Sequence, residues 1–244
     1  MKRVALVTGA SRGIGAAVAC RLAADGADVA LQFFAAAEAA EGVAADCRAH
    51  GGQAVVLQAD LRRRGSCESM KKKLDELGWT PDIVVHCAGI THYGLLEDTD
   101  DEAWDDLMNV NLKGAHELVK AFASPMRWSR WGRFVFLSSV WGAVGSAGEA
   151  AYAASKGGLN AFTKSAAKEL ASSGITANAI SPGAVDTDML STLGEDDLSV
   201  LRREIPLGRL GTPEDVAELV RYLVSEGAGY VTGQTIGING GWFM

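Results

Sequence analysis

Short β-rich runs alternate with longer helical patterns along the whole chain, and that alternation restricts the fold more than any other feature of the sequence. The strand-like runs fall at 4–7, 28–33, 54–58, 83–86, 134–137, 176–180 and 235–238. Most lack the apolar/polar alternation of a half-exposed strand, which predicts a parallel sheet covered by helices on both faces. Helical patterns lie between them near 13–25, 38–49, 66–77, 102–124, 150–172 and 213–225. The last opens on Thr212-Pro213-Glu214-Asp215, a cap followed by a first-turn proline and two acids. The order βαβαβ predicts an α/β fold with a doubly wound parallel sheet. Nothing in 1–244 reads as a repeat, a low-complexity tract or a linker, so one domain is expected.

Composition limits the function classes. A formal charge of −7 argues against general nucleic-acid binding and against an anionic membrane. No apolar run approaches the roughly 20 residues of a membrane span. The segment Met1-Lys2-Arg3-Val4-Ala5-Leu6-Val7 is too short in its apolar part for a signal peptide and reads as the first strand. Cys20, Cys47, Cys67 and Cys87 show neither metal-ligand spacing nor a paired framework, so a reducing cytoplasm is expected.

Thr8-Gly9-Ala10-Ser11-Arg12-Gly13-Ile14-Gly15 joins the first strand to the first helix. Glycines there let the backbone turn tightly and approach a diphosphate, whose charge the helix N-terminus favours. Nucleotide binding is therefore the favoured reading. An acid about 20 residues beyond such a loop would bind the ribose hydroxyls of NAD. Gln32-Phe33-Phe34-Ala35-Ala36 offers none before Glu38, while Arg12 is suited to pair with a 2′-phosphate. Together these predict NADP(H) rather than NAD(H).

Tyr152 and Lys156 stand four apart, which places them on one face of a helix. A neighbouring ammonium favours the phenolate and is expected to lower the Tyr152 pKa towards the range of acid–base work. Tyr152, Lys156, Leu159, Thr163, Ala166 and Leu170 form a stripe predicted to face the sheet. Ser139, just beyond the run 134–137, can present its hydroxyl at the same place.

With the glycine loop, Ser139 and the Tyr152/Lys156 pair, the chain resembles the short-chain dehydrogenase/reductase family over essentially its whole length. The resemblance implies a Rossmann-like fold, catalytic Asn111, Ser139, Tyr152 and Lys156, and reduction of a ketone by hydride transfer. It assigns the cofactor to Gly9, Ser11, Arg12, Gly13, Ile14 and Gly15, to Asp60 and Leu61 at the adenine, and to Ala88 and Gly89. It adds Pro182, Gly183, Val185 and Thr187 at the nicotinamide, and a homotetramer. Where the family usually has Asn-Asn-Ala-Gly, this chain has His86-Cys87-Ala88-Gly89, read as a structural substitution that changes the group bracing the strand.

Two branches of the family compete for the substrate. Reductases of 3-oxoacyl groups on acyl carrier protein are the default, and Arg127, Arg130 and Arg133 are expected to supply part of a patch for the acidic carrier. Ser173 stands where those enzymes often carry an arginine. Ser138-Ser139-Val140-Trp141-Gly142, Glu149, the run 204–210 and Asn239-Gly240-Gly241-Trp242 instead resemble reductases of the 5-aminopentanone modification on elongation factor P. Glu149 and Trp141 would suit a cationic amine by ion pairing and cation–π contact. The sequence reading leans to this branch. His92 and a lid over 187–210 are expected to flank the opening, and Glu195-Asp196-Asp197 to start a short lid helix rather than hold a metal. A non-catalytic dinucleotide sensor is a minor alternative.

Overall fold

The computed structural model describes residues 2–191 and 194–244; Met1 lies outside the described residues, as do Thr192 and Leu193 of the predicted lid. The chain runs β1 (Val4–Thr8), α1 (Gly13–Ala24), β2 (Asp28–Phe33), α2 (Ala37–Ala49), β3 (Ala54–Gln58), α3 (Ser66–Glu76) and β4 (Ile83–His86). It continues through α4 (Asp101–Leu107), α5 (Gly114–Ser129), β5 (Gly132–Leu137), α6 (Trp141–Val144) and α7 (Ala150–Leu170). The last elements are β6 (Ile175–Pro182), α8 (Glu195–Glu204), α9 (Pro213–Val224) and β7 (Thr235–Ile238). Among the described residues seven strands pair in parallel in the order β3-β2-β1-β4-β5-β6-β7. The order reverses beside β1, which opens a crevice outside the strands' carboxyl ends where such sheets bind ligands.

Each strand sends alternate side chains into two cores. Ala5, Val7, Val29, Leu31, Val85 and Val135 face Val18 and Leu22 of α1 and Val216, Val220 and Leu223 of α9. Leu6, Ala30, Val84, Phe134 and Phe136 face Met70 and Leu74 of α3, Leu118 and Phe122 of α5, and Leu159 of α7. Burial on both sides explains the unbroken apolar runs. α9 starts as predicted: Thr212 accepts from the Asp215 amide, the Asp215 carboxylate accepts from the Thr212 amide, and Pro213 follows the cap. α8 carries Glu195, Asp196 and Asp197 in its first turn, where the helix dipole favours acids.

The predicted helix over 102–124 is divided. After α4 the backbone widens into a π turn, Met108–Lys113, and only then resumes as α5. α5 also runs past Pro125, although proline removes one helical amide, because Phe122 and Met126 on either side are buried in the core.

Candidate active site

The crevice gathers residues from the carboxyl ends of β1 to β6, from the π turn and from α7. The glycine loop turns at Gly9 and Gly13, whose φ values of +64° and +55° suit glycine. A Cβ on Gly9 would lie 2.7 Å from the Ala88 Cα, and one on Gly15 would lie 2.2 Å from the Gly9 carbonyl oxygen. The loop therefore lies directly against the end of β4. Gln32, buried at the end of β2, accepts from the Gly9 amide at 3.0 Å and donates to the Ala59 carbonyl at 2.7 Å. The sequence marks Gln32 only by the absence of an acid; a polar amide inside the apolar run 28–33 is the available signal for its clamping role.

These residues fit a dinucleotide. α1 begins without a side-chain cap, so its first amides are free for a diphosphate. A Cβ on Gly89 would lie 3.3 Å from Asn111 Oδ1 and 3.4 Å from Lys156 Nζ, so glycine keeps a cradle open between those two groups. Thr187 reaches the loop, its Cγ2 being 3.4 Å from a Cβ placed on Gly13. Gly183 is required for another reason: its Cβ would strike Asn239 at 2.8 Å. Ile14 packs on the α1 side of the sheet and Leu61 on the α3 side. Asp60 binds Arg62 through both oxygens at 2.9 and 3.0 Å, which holds its carboxyl below the usual range, and Arg62 lies over the Phe34 ring at 4.8 Å. Arg12 forms an exposed ion pair with Asp188 at 3.1 Å across the mouth of the crevice.

The stripe of α7 is buried from Tyr152 through Leu170. Tyr152 packs with Leu107, Ala151 and Trp141. Lys156 donates to the Leu137 carbonyl at 2.6 Å and lies 5.5 Å from the centre of the Tyr152 ring. Ser139 follows β5, and its hydroxyl accepts from the Trp141 amide at 3.2 Å. Asn111, carried by the π turn, accepts from the Ile90 amide at 2.9 Å and donates to the Ile90 carbonyl and the Ser155 hydroxyl, both at 3.0 Å. Ser155 in turn donates to the Tyr152 carbonyl at 2.7 Å. The spacing of the pair did not point to Ser155.

The electrostatics correct one expectation. Burial pushes Tyr152 up to about 12; the hydrogen bond from Ser139 pulls it down, and the Glu149 charge raises it further. Burial also pushes Lys156 down to about 8. Desolvation of both groups outweighs the predicted stabilisation of the phenolate, so the tyrosine is held as a neutral acid.

Glu149 and Trp141, expected at the substrate opening, are both half-buried and both have neighbours. Glu149 accepts from Thr91 at 2.9 Å and Ser146 at 3.4 Å. Trp141 meets Trp242 and Phe243 edge-on, each at 5.3 Å between centroids. His92 is half-buried in the loop beside Thr91, and that loop is tied to the next by the Gly94 amide on the Gly148 carbonyl. Of the three arginines expected to serve an acidic carrier, Arg127 and Arg130 are exposed and Arg133 is withdrawn into the fold. Arg133 is buried, donates to the Gly132, Gly174 and Ser225 carbonyls and stacks on Trp131. Arg130 ends α5 in a left-handed conformation and donates to the Ser172 carbonyl.

Comparison with known proteins agrees with this geometry. The family described as enoyl-(acyl carrier protein) reductase matches residues 9–243. The 3-oxoacyl-[acyl-carrier-protein] reductase FabG of Pseudomonas aeruginosa is 43% identical over 242 residues, covering 99% of this chain and 98% of that protein. The protein of the same name from Staphylococcus aureus strain Mu50 is 41% identical over 244 residues, covering 100% and 99%. Among solved structures, a putative gluconate dehydrogenase from Agrobacterium tumefaciens superposes with a TM-score of 0.94 at 30% identity, covering 98% of this chain and 95% of that one.

Proposed function

Because the chain belongs to the short-chain dehydrogenase/reductase family, as an oxidoreductase using a nicotinamide dinucleotide, we propose that it reduces 3-oxoacyl thioesters borne on acyl carrier protein, with NADPH as donor. The observation that carries the reaction is Tyr152, buried and protonated beside Ser139 at the edge of the glycine cradle. The relatives' names support the substrate class, and they favour the carrier reading over the elongation factor P reading to which the sequence leans.

When bound, the nicotinamide supplies the hydride that adds to the carbonyl carbon. The chain's own residues manage the oxygen. The Ser139 hydroxyl donates to it as negative charge develops, and the Tyr152 phenol gives it a proton. The Lys156 ammonium favours the phenolate left behind and holds the cofactor's ribose. Asn111 holds the water of a proton relay. The segment 187–210 serves as a lid, and one domain carries both cofactor and substrate.

The missing acid after β2 supports NADPH over NADH, because no carboxylate there repels a 2′-phosphate. A homotetramer is proposed on the family resemblance.

One observation favours the second substrate. The half-buried Glu149 carboxylate is held by two hydroxyls and by no cation among the described residues, which leaves its charge available to an amine. A side-by-side NADPH assay decides between the readings. Turnover of a 3-oxoacyl carrier thioester is expected, and turnover of aminopentanone-modified elongation factor P alone would replace the first reading with the second.

A further inference from the structure

His86 is fully buried at the end of β4, with both ring nitrogens engaged. Nε2 lies 3.1 Å from the Val110 carbonyl, which can only accept, so Nε2 carries the proton. Nδ1 is therefore bare and accepts from the Thr8 hydroxyl at 2.9 Å. That hydroxyl accepts in turn from the Ala88 amide at 3.1 Å. The chain of donors is directional, from the Ala88 amide through Thr8 and the imidazole to Val110, and it requires a neutral ring. Burial supplies one, holding the ring neutral down to about pH 3.

The two ends of this chain are the two halves of the site. Ala88 lies against the glycine loop, and Val110 immediately precedes Asn111. The Val110 carbonyl is within reach because of the π turn: the Gly114 amide, which would bond Val110 in an α-helical register, bonds Asn109 instead. The ring also needs Gly114, where a Cβ would lie 3.3 Å from His86 Cε1 and 3.5 Å from Nε2. Asn111 is then carried to Ile90 and Ser155, and Ser155 binds the backbone of Tyr152.

We propose that His86 is a positioning residue: through Val110 it fixes the π turn that presents Asn111, and through Thr8 it fixes the Ala88 amide at the cofactor loop. Its effect on turnover rests on the ketoreductase reading above. The two arms are separable, since a glutamine amide reaches the place of Nε2 and an asparagine amide reaches only that of Nδ1.

The test compares His86→Gln, His86→Asn and His86→Ala with wild type in three measurements. These are hydrogen exchange over 108–114, the NADPH dissociation constant by fluorescence, and kcat for a 3-oxoacyl thioester. Loss of a buried hydrogen bond predicts exchange at least about tenfold faster in the Asn and Ala variants and within about threefold of wild type in the Gln variant. In parallel, kcat should fall about tenfold or more in His86→Asn while its NADPH dissociation constant stays within about threefold, and His86→Gln should retain kcat. Equal exchange in the Gln and Asn variants, or a kcat loss matched by weaker NADPH binding in His86→Asn, would overturn the proposal. If wild type reduces no ketone, the ketoreductase reading fails, and hydrogen exchange alone still decides whether His86 holds the turn.

Discussion

The Lys156 ammonium donates to the Leu137 carbonyl at 2.6 Å, which anchors the N-terminal third of α7 to the end of β5 just before Ser139. The contact fixes the direction of the lysine but leaves its charge in a dry site, and burial pushes Lys156 down to about 8. Its folded pKa lies below its unfolded one, so the unfolded chain binds more protons between about pH 8 and 10.5. This group therefore destabilises the fold most below pH 8, and the penalty is relieved as pH rises through that window.

The same value predicts cofactor binding. If the ammonium form holds the ribose, the NADPH dissociation constant is flat from pH 6 to 7.5 and rises above about pH 8, approaching tenfold per pH unit. Fluorescence titration between pH 6 and 9.5 measures this directly. A constant affinity to pH 9.5 would remove Lys156 from the cofactor site.

The shared, inward face of Tyr152 and Lys156 was legible from their spacing, yet the sign of the Tyr152 pKa shift was not, because spacing on a helix gives proximity and not desolvation. The strands were legible for the opposite reason: helices cover both faces, and the sequence records this as unbroken apolar runs such as Phe134–Leu137. The π turn at Asn111 left no trace, since its residues keep an ordinary helical pattern while the hydrogen-bond register slips by one. Arg133 misled because a charged residue after other arginines reads as surface, whereas its guanidinium is satisfied by three backbone carbonyls and an indole face.

Arg12 and Asp188 give a second prediction. An exposed ion pair contributes at most about 1 kcal/mol, so a 2′-phosphate can displace Asp188 from Arg12 at small cost. Asp188→Asn should tighten NADP⁺ binding by about two- to fivefold and leave NAD⁺ unchanged. Arg12→Ala should weaken NADP⁺ selectively. Calorimetric titration of both dinucleotides against the three proteins checks the assignment, and an unchanged preference in Arg12→Ala would sink it.

Glycines in this chain are not equivalent. Gly15→Ala puts a methyl group 2.2 Å from the Gly9 carbonyl oxygen, and the backbone there cannot yield without opening the cofactor loop. A loss of about 1–3 kcal/mol and of cofactor affinity is expected. Gly42 lies within α2 with nothing near the added atom, so Gly42→Ala should stabilise by about 0.5–1 kcal/mol. Thermal melts of the two variants should shift in opposite directions.

Glu149 separates the two substrate readings. Glu149→Gln keeps one oxygen to accept from one of the two hydroxyls, Thr91 or Ser146, turns the other position into an amide that donates, and removes a negative charge that raises Tyr152. For a neutral 3-oxoacyl thioester, kcat/KM should stay within about threefold of wild type, since no contact to the reacting oxygen is lost. An amine-bearing ketone pairs its charge with that carboxylate in the second reading, and its KM should then rise about tenfold with kcat little changed. Assays of both ketones at low and high salt add a further check, because screening weakens only the ion-paired substrate. Equal losses for both ketones would mean that Glu149 acts through Tyr152 and not through the substrate.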